Sequence, residues 1–154
     1  MINLNRIKLI TIASICFAAV SSTPVIAAED PVFSNWRNVA IRGYDTVAYH
    51  LEKQPVEGDK EFTAEWNGAK WRFNSAEHRD LFQSDPERWA PKYGGYCAWA
   101  VSNNYTASTV PEAWTIVDDR LYLNFSLSVQ EQWRRDIPGN IKRGDANWPG
   151  VLNN

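Results

Sequence analysis

The sequence is poor in the residues that make covalent and metal-centred chemistry easy. Its 154 residues include 2 cysteines, 2 histidines and 1 methionine. One cysteine, Cys16, lies in an N-terminal stretch that reads as removable, and Cys97 is then left without an intrachain disulfide partner. No Cys-x-x-Cys or His-x-x-x-His spacing occurs, so no metal site is encoded locally. Basic tracts are missing as well. Lys and Arg number 16 against 18 Asp and Glu, and they are scattered along the chain. Phosphate backbones are held by clustered cations, so nucleic acid is disfavoured as a partner. Long apolar runs are absent too. The longest, Leu9–Val20, is about 12 residues against the roughly 20 that span a bilayer. No stable membrane anchor is expected.

That N-terminal stretch has the layout of an export signal. Arg6 and Lys8 precede the apolar run, Pro24 follows it, and Val25 and Ala27 stand where a signal peptidase wants small residues. Cleavage near Ala27 or Ala28 is expected, and with it a periplasmic or secreted protein. The rest divides into a leader over 28–37, a single domain over 38–149 and a tail over 150–154. Losing Arg6 and Lys8 leaves a net charge of −4. About 127 residues suffice for one compact core.

Aromatic rings are what the chain has in quantity: 8 Trp, 6 Tyr and 6 Phe, with every tryptophan beyond residue 27. Packing of rings therefore has to do what disulfides cannot. In "EFTAEWNGAKWRF" the apolar residues alternate on both sides of Asn67-Gly68, a strong hairpin signal. Ser75 then stands at a helix N-cap, and Asp85-Pro86 ends that helix or opens another. "AWTIVDDRLYLNFSLSVQEQWRRD" repeats the plan, with a hairpin on Asp118-Asp119 and a helix after Ser126 or Ser128. A shift of 51 residues aligns Trp71 with Tyr122, Ser75 with Ser126, Phe82 with Trp133 and Asp85 with Asp136. The expected fold is a small α+β domain of two hairpin-plus-helix units. Residues 102–114 are expected to link the units as an exposed loop. Trp66, Trp71, Trp89 and Trp133 are expected to face inward, whereas Trp99, Tyr105 and Trp114 flank the loop as surface candidates.

Few residues carry chemistry. Cys97, in "YGGYCAWAV", can serve as a soft-metal thiolate, as a nucleophile or as a small buried hydrophobe. His50 and His78 are imidazoles that would complete a three-ligand Cys/His₂ set for copper or zinc if the fold brought all three together. His78, at the third position of its helix, also reads as a surface or capping residue. Asp45 orients His50, pairs with Arg42, or bonds its own backbone in a Gly-Tyr-Asp turn. Tyr96 and Trp99, beside Cys97, are candidate ligand contacts. Nothing in the sequence supplies an oxyanion hole, so a cysteine-dependent enzyme is the weakest class.

The stretches "GYDTVAYH", "NGAKWRFNSAEHRDLFQSDPERWAPKYGGYCAWAV", "AWTIVDDRLYLNFS", "VQEQW" and "DANWP" together resemble the exported YHS-domain proteins of bacteria, over about Asn38–Pro149. The resemblance implies a small α+β domain with distant kinship to treble-clef-like metal-binding modules. Metal-binding relatives carry several cysteines where this chain keeps one. Exported members commonly read "GYDPVAYF", where this chain has Thr46 and His50. The resemblance implies the fold and little about function; the candidate residues lead to an expectation of non-enzymatic binding of a transition-metal ion or small molecule near Cys97 and His50. A protein-interaction module with Cys97 in its core is the alternative.

Overall fold

The computed structural model describes residues 28–154; the expected export segment 1–27, with Cys16, lies outside the described residues. After a tight turn at Ile41–Gly43 come α1 (Thr46–Leu51), β1 (Asp59–Trp66), β2 (Ala69–Phe73), α2 (Ala76–Ser84) and α3 (Pro86–Trp89). A second tight turn at Lys92–Gly95 opens the same order again: α4 (Ala98–Ser102), β3 (Trp114–Val117), β4 (Arg120–Leu123), α5 (Leu127–Arg134) and α6 (Ile137–Asn147). Each hairpin is its own two-stranded antiparallel sheet. The domain is α+β, as expected.

Local chemistry explains why both halves take this form. Asn67 and Gly68 sit at φ 49° and 79°, and Asp118 and Asp119 at 49° and 57°. Positive φ at both central positions lets a two-residue turn follow the twist of its strands. Trp66 accordingly pairs with Ala69, and Val117 with Arg120. The Ser75 hydroxyl accepts from His78 N–H at 3.1 Å, and the Ser126 hydroxyl from Val129 N–H at 3.2 Å. Asp85 and Asp136 cap α3 and α6 in the same way. The Trp71 and Phe82 rings lie 5.1 Å apart at 33°, and Tyr122 and Trp133 also lie 5.1 Å apart at 33°. The 51-residue offset is therefore a structural repeat.

The repeat reaches further upstream than the hairpins. Gly43-Tyr44-Asp45 and Gly95-Tyr96-Cys97, 52 residues apart, have the same backbone. Arg42 and Gly94 lie at φ 62° and 59°, and Gly43 and Gly95 at 86° and 85°. Asp45 and Cys97 then stand at the N-caps of α1 and α4. At Gly94 a side chain is also excluded by space, since a Cβ would lie 2.0 Å from the Pro31 carbonyl oxygen.

Two aromatic cores result, and β4 belongs to both. Leu121 and Leu123 pack in the first cluster with Trp71, Phe73, Phe82 and Trp89, while Tyr122 points the other way to Trp133, Val101 and Tyr93. This is the period-2 alternation of a strand. Val32, in the leader, is buried in the first core, and Val151 and Leu152, in the tail, are buried in the second. Residues 102–114 are not simply exposed. Thr109 is buried and donates to the Gly95 carbonyl at 2.9 Å, Ala113 is buried, and only Tyr105 of the three surface candidates is strongly exposed. Trp99 and Trp114 are half-buried against the second and first cores. Among the described residues, no helix is long and apolar enough to cross a membrane.

Candidate functional site

Asp45 is fully buried and entirely satisfied. Its Oδ1 accepts from the N–H groups of Val47 at 2.8 Å and Ala48 at 3.2 Å, which caps α1. Its Oδ2 accepts from Asn74 N–H at 2.9 Å and faces His78 Nδ1 at 2.8 Å. The carboxylate thus ties α1 to the β2–α2 junction. It orients His78, not His50. His78 is correspondingly buried instead of standing on the surface, and its Nε2 faces Glu52 Oε1 at 4.0 Å.

Cys97 occupies the equivalent place in the second unit, with the work divided between two side chains. Its sulfur accepts from Phe125 N–H at 3.3 Å, as Asp45 accepts from Asn74. The cap on Trp99 N–H comes from Asn124 Oδ1 at 3.2 Å, as Asp45 caps Val47. The thiol in turn donates to that Asn124 oxygen at 3.7 Å. Cys97 is 1% exposed. Burial pushes its pKa up, against the smaller opposing pull of backbone N–H groups at Ala100, Phe125 and Trp99. The site favours a protonated thiol, the opposite of what a nucleophile or metal ligand needs.

His50 lies in a third setting. Its side chain is 3% exposed, and among the described residues neither ring nitrogen has a partner at hydrogen-bond geometry. Nδ1 stands 3.5 Å from Asp119 Oδ1 at the second hairpin's turn, and the ring meets the Trp89 face edge-on at 5.3 Å. Burial lowers its pKa, Asp119 opposes that shift, and Lys53 and Arg88 add to it. Cys97, His50 and His78 therefore answer to different neighbours: Asn124 and Phe125, Asp119 and Trp89, Asp45 and Glu52. The expected Cys/His₂ set is not assembled. Among the described residues, no group of three or more His, Cys, Asp or Glu side chains is arranged to hold a metal ion. Tyr96 is buried and its hydroxyl donates to the Asp30 carbonyl at 2.9 Å, and Trp99 packs on the second core, so both serve structure. Burial pushes the Tyr96 pKa up to about 12.

Several clefts of comparable size, none legible in the sequence, mark the surface of the described residues. A cavity of about 350 Å³ opens where the two units meet, walled by Trp66, Tyr93 and Trp148 and edged by Glu87, Lys92 and Arg120. Arg120 is fixed there by donating to the Glu87 carbonyl at 2.7 Å, and Lys92 by Asp145 at 3.5 Å. Its lining comes from five separate segments, and only the pairing of the units brings them together. Compared with family models, with curated proteins and with solved structures, the chain matches none.

Proposed function

We propose that the chain is an exported, non-enzymatic module of the YHS type that binds a small ligand in the cleft between its two units. The observation that carries this reading is the full commitment of Cys97 to the Phe125 N–H, the Asn124 side-chain oxygen and packing. A buried, protonated thiol with no base in reach among the described residues supports neither a nucleophile nor a soft-metal centre. What supports the cleft as the seat instead is its three aromatic side chains, the held cations Arg120 and Lys92, and its position at the junction of two units. Its volume lies at the lower end of such sites. Kinship to the YHS proteins, and more distantly to treble-clef-like modules, is supported by the motifs and by a hairpin followed by a helix in each unit.

The test is a titration of ¹⁵N-labelled protein lacking residues 1–27 with a panel of sugars, amino acids and dicarboxylates, and separately with Cu(I) and Zn(II). The expected result is a binder that shifts the Lys92, Gly94 and Arg120 amides and the Trp66 and Trp148 indoles, with the shifts lost in Trp148→Ala. Stoichiometric metal binding abolished by Cys97→Ser would overturn the reading and restore copper or zinc at Cys97 and His50.

A further inference from the structure

The internal repeat supplies a control for His50. Its counterpart in the second unit is Ser102, and the counterpart of its neighbour Trp89 is Asn140. Ser102 and Asn140 are both buried and joined by a hydrogen bond at 3.2 Å, so that contact is closed by two neutral groups. In the first unit the same contact holds a buried imidazole whose two nitrogens have no hydrogen-bond partner among the described residues. The fold thus has a solution at this position that needs no titratable group.

The surroundings of the ring decide what a proton does there. Asp119 approaches from the β3–β4 turn, Arg88 from α3, and Lys53 from the residues just beyond α1. Asp119 is already shared, since its other oxygen pairs with Arg88 Nη2 at 3.3 Å. An imidazolium would be a second cation on a carboxylate already paired with Arg88, in the field of Lys53, with its other N–H buried. Water can reach that N–H only if the ring or the turn moves. We infer that the contact between His50 on α1 and the Asp118–Asp119 turn is an acid-sensitive joint between the two units, closed while the imidazole is neutral and opened when it is protonated. This joint adjoins the cleft through Arg120 and Glu87, but its test does not depend on any ligand.

The experiment is amide hydrogen exchange of the intact protein by NMR between pH 7.5 and 4.5, corrected for intrinsic rates. The Asn67–Gly68 turn serves as internal reference, and the His50 ring protons are followed in the same samples. Opening of Asp118–Arg120 is expected to rise as pH falls, by up to about tenfold per pH unit for a single proton, while the reference turn stays level. In His50→Gln that dependence is expected to vanish, and in His78→Gln to persist. Arg88→Gln, at an exposed position, removes one competing cation and is expected to move the His50 titration upward. A second-hairpin turn whose opening ignores pH in the native protein overturns the joint. So does an unchanged pH dependence in His50→Gln, or an unmoved His50 titration in Arg88→Gln.

Discussion

Asp45 and Cys97 do equivalent work with unequal means, and their substitutions measure the difference. Removing the Asp45 side chain strands three backbone N–H groups and His78 in a buried site. Each unsatisfied buried group costs about 1–3 kcal/mol, so Asp45→Ala is expected to lose more than about 3 kcal/mol in urea denaturation. Cys97→Ala strands only Phe125 N–H and leaves the Asn124 cap on α4 in place. Its expected loss is about 1–3 kcal/mol. The same burial predicts that iodoacetamide at pH 8 modifies the native thiol no faster than the chain unfolds. Rapid stoichiometric labelling of folded protein would contradict the structural role. At His50 the sign of the pH effect follows from burial. Its folded-state pKa lies below the free value of about 6.5. The unfolded chain then takes up the proton first. This contribution to stability is whole above that value and is lost as pH falls towards the folded-state pKa, at no more than about 1.4 kcal/mol per pH unit. Denaturation midpoints of the native chain and His50→Gln, compared from pH 7.5 to 4.5, check it.

Among the elements, matched positions give matched expectations. Ser75 and Ser126 have the same backbone conformation and bond the N–H three residues on at nearly equal distance. Ser75→Ala and Ser126→Ala should each cost about 1 kcal/mol, and by similar amounts, in thermal or urea denaturation. The hairpins, their turns and the helix caps were legible in the sequence because each rests on a few adjacent residues with one conformational demand. The correspondence of Gly43-Tyr44-Asp45 with Gly95-Tyr96-Cys97 is not legible in the sequence, for two reasons. It runs one residue out of step with the hairpin offset, and Asp and Cys share no obvious chemistry. Only the backbone angles and the equivalent N–H partners, Asn74 and Phe125, show that they hold one place. The cleft was illegible for a different cause: Trp66, Tyr93, Trp148, Glu87 and Arg120 meet only through the packing of one unit on the other. His50 and Cys97 looked like partners because both are scarce, and scarcity says nothing about distance.

At the scale of the whole molecule, the repeat raises the question of whether each unit folds by itself. Each has its own aromatic cluster, its own sheet and its own capped helices, which favours independence. Against that, β4 sends Leu121 and Leu123 into the first core and Tyr122 into the second, and all three are buried. The first core is thus closed by residues of the second unit. A unit of about 50 residues that lacks those two leucines also falls in the size range where a single core is marginal. Shared burial should outweigh local completeness, and the domain should unfold as one cooperative body. Leu121→Ala, facing the first cluster alone, is expected to cost about 2–5 kcal/mol. The loss should appear equally in the indole signals of Trp71, in the first core, and of Trp133, in the second, with coincident urea midpoints. Two separated midpoints, with only the Trp71 signal displaced by the substitution, would mean that the halves are independent domains joined by a strand. In that event the cleft and the His50 joint would be features of a docking between domains, and both would change with any condition that loosened it.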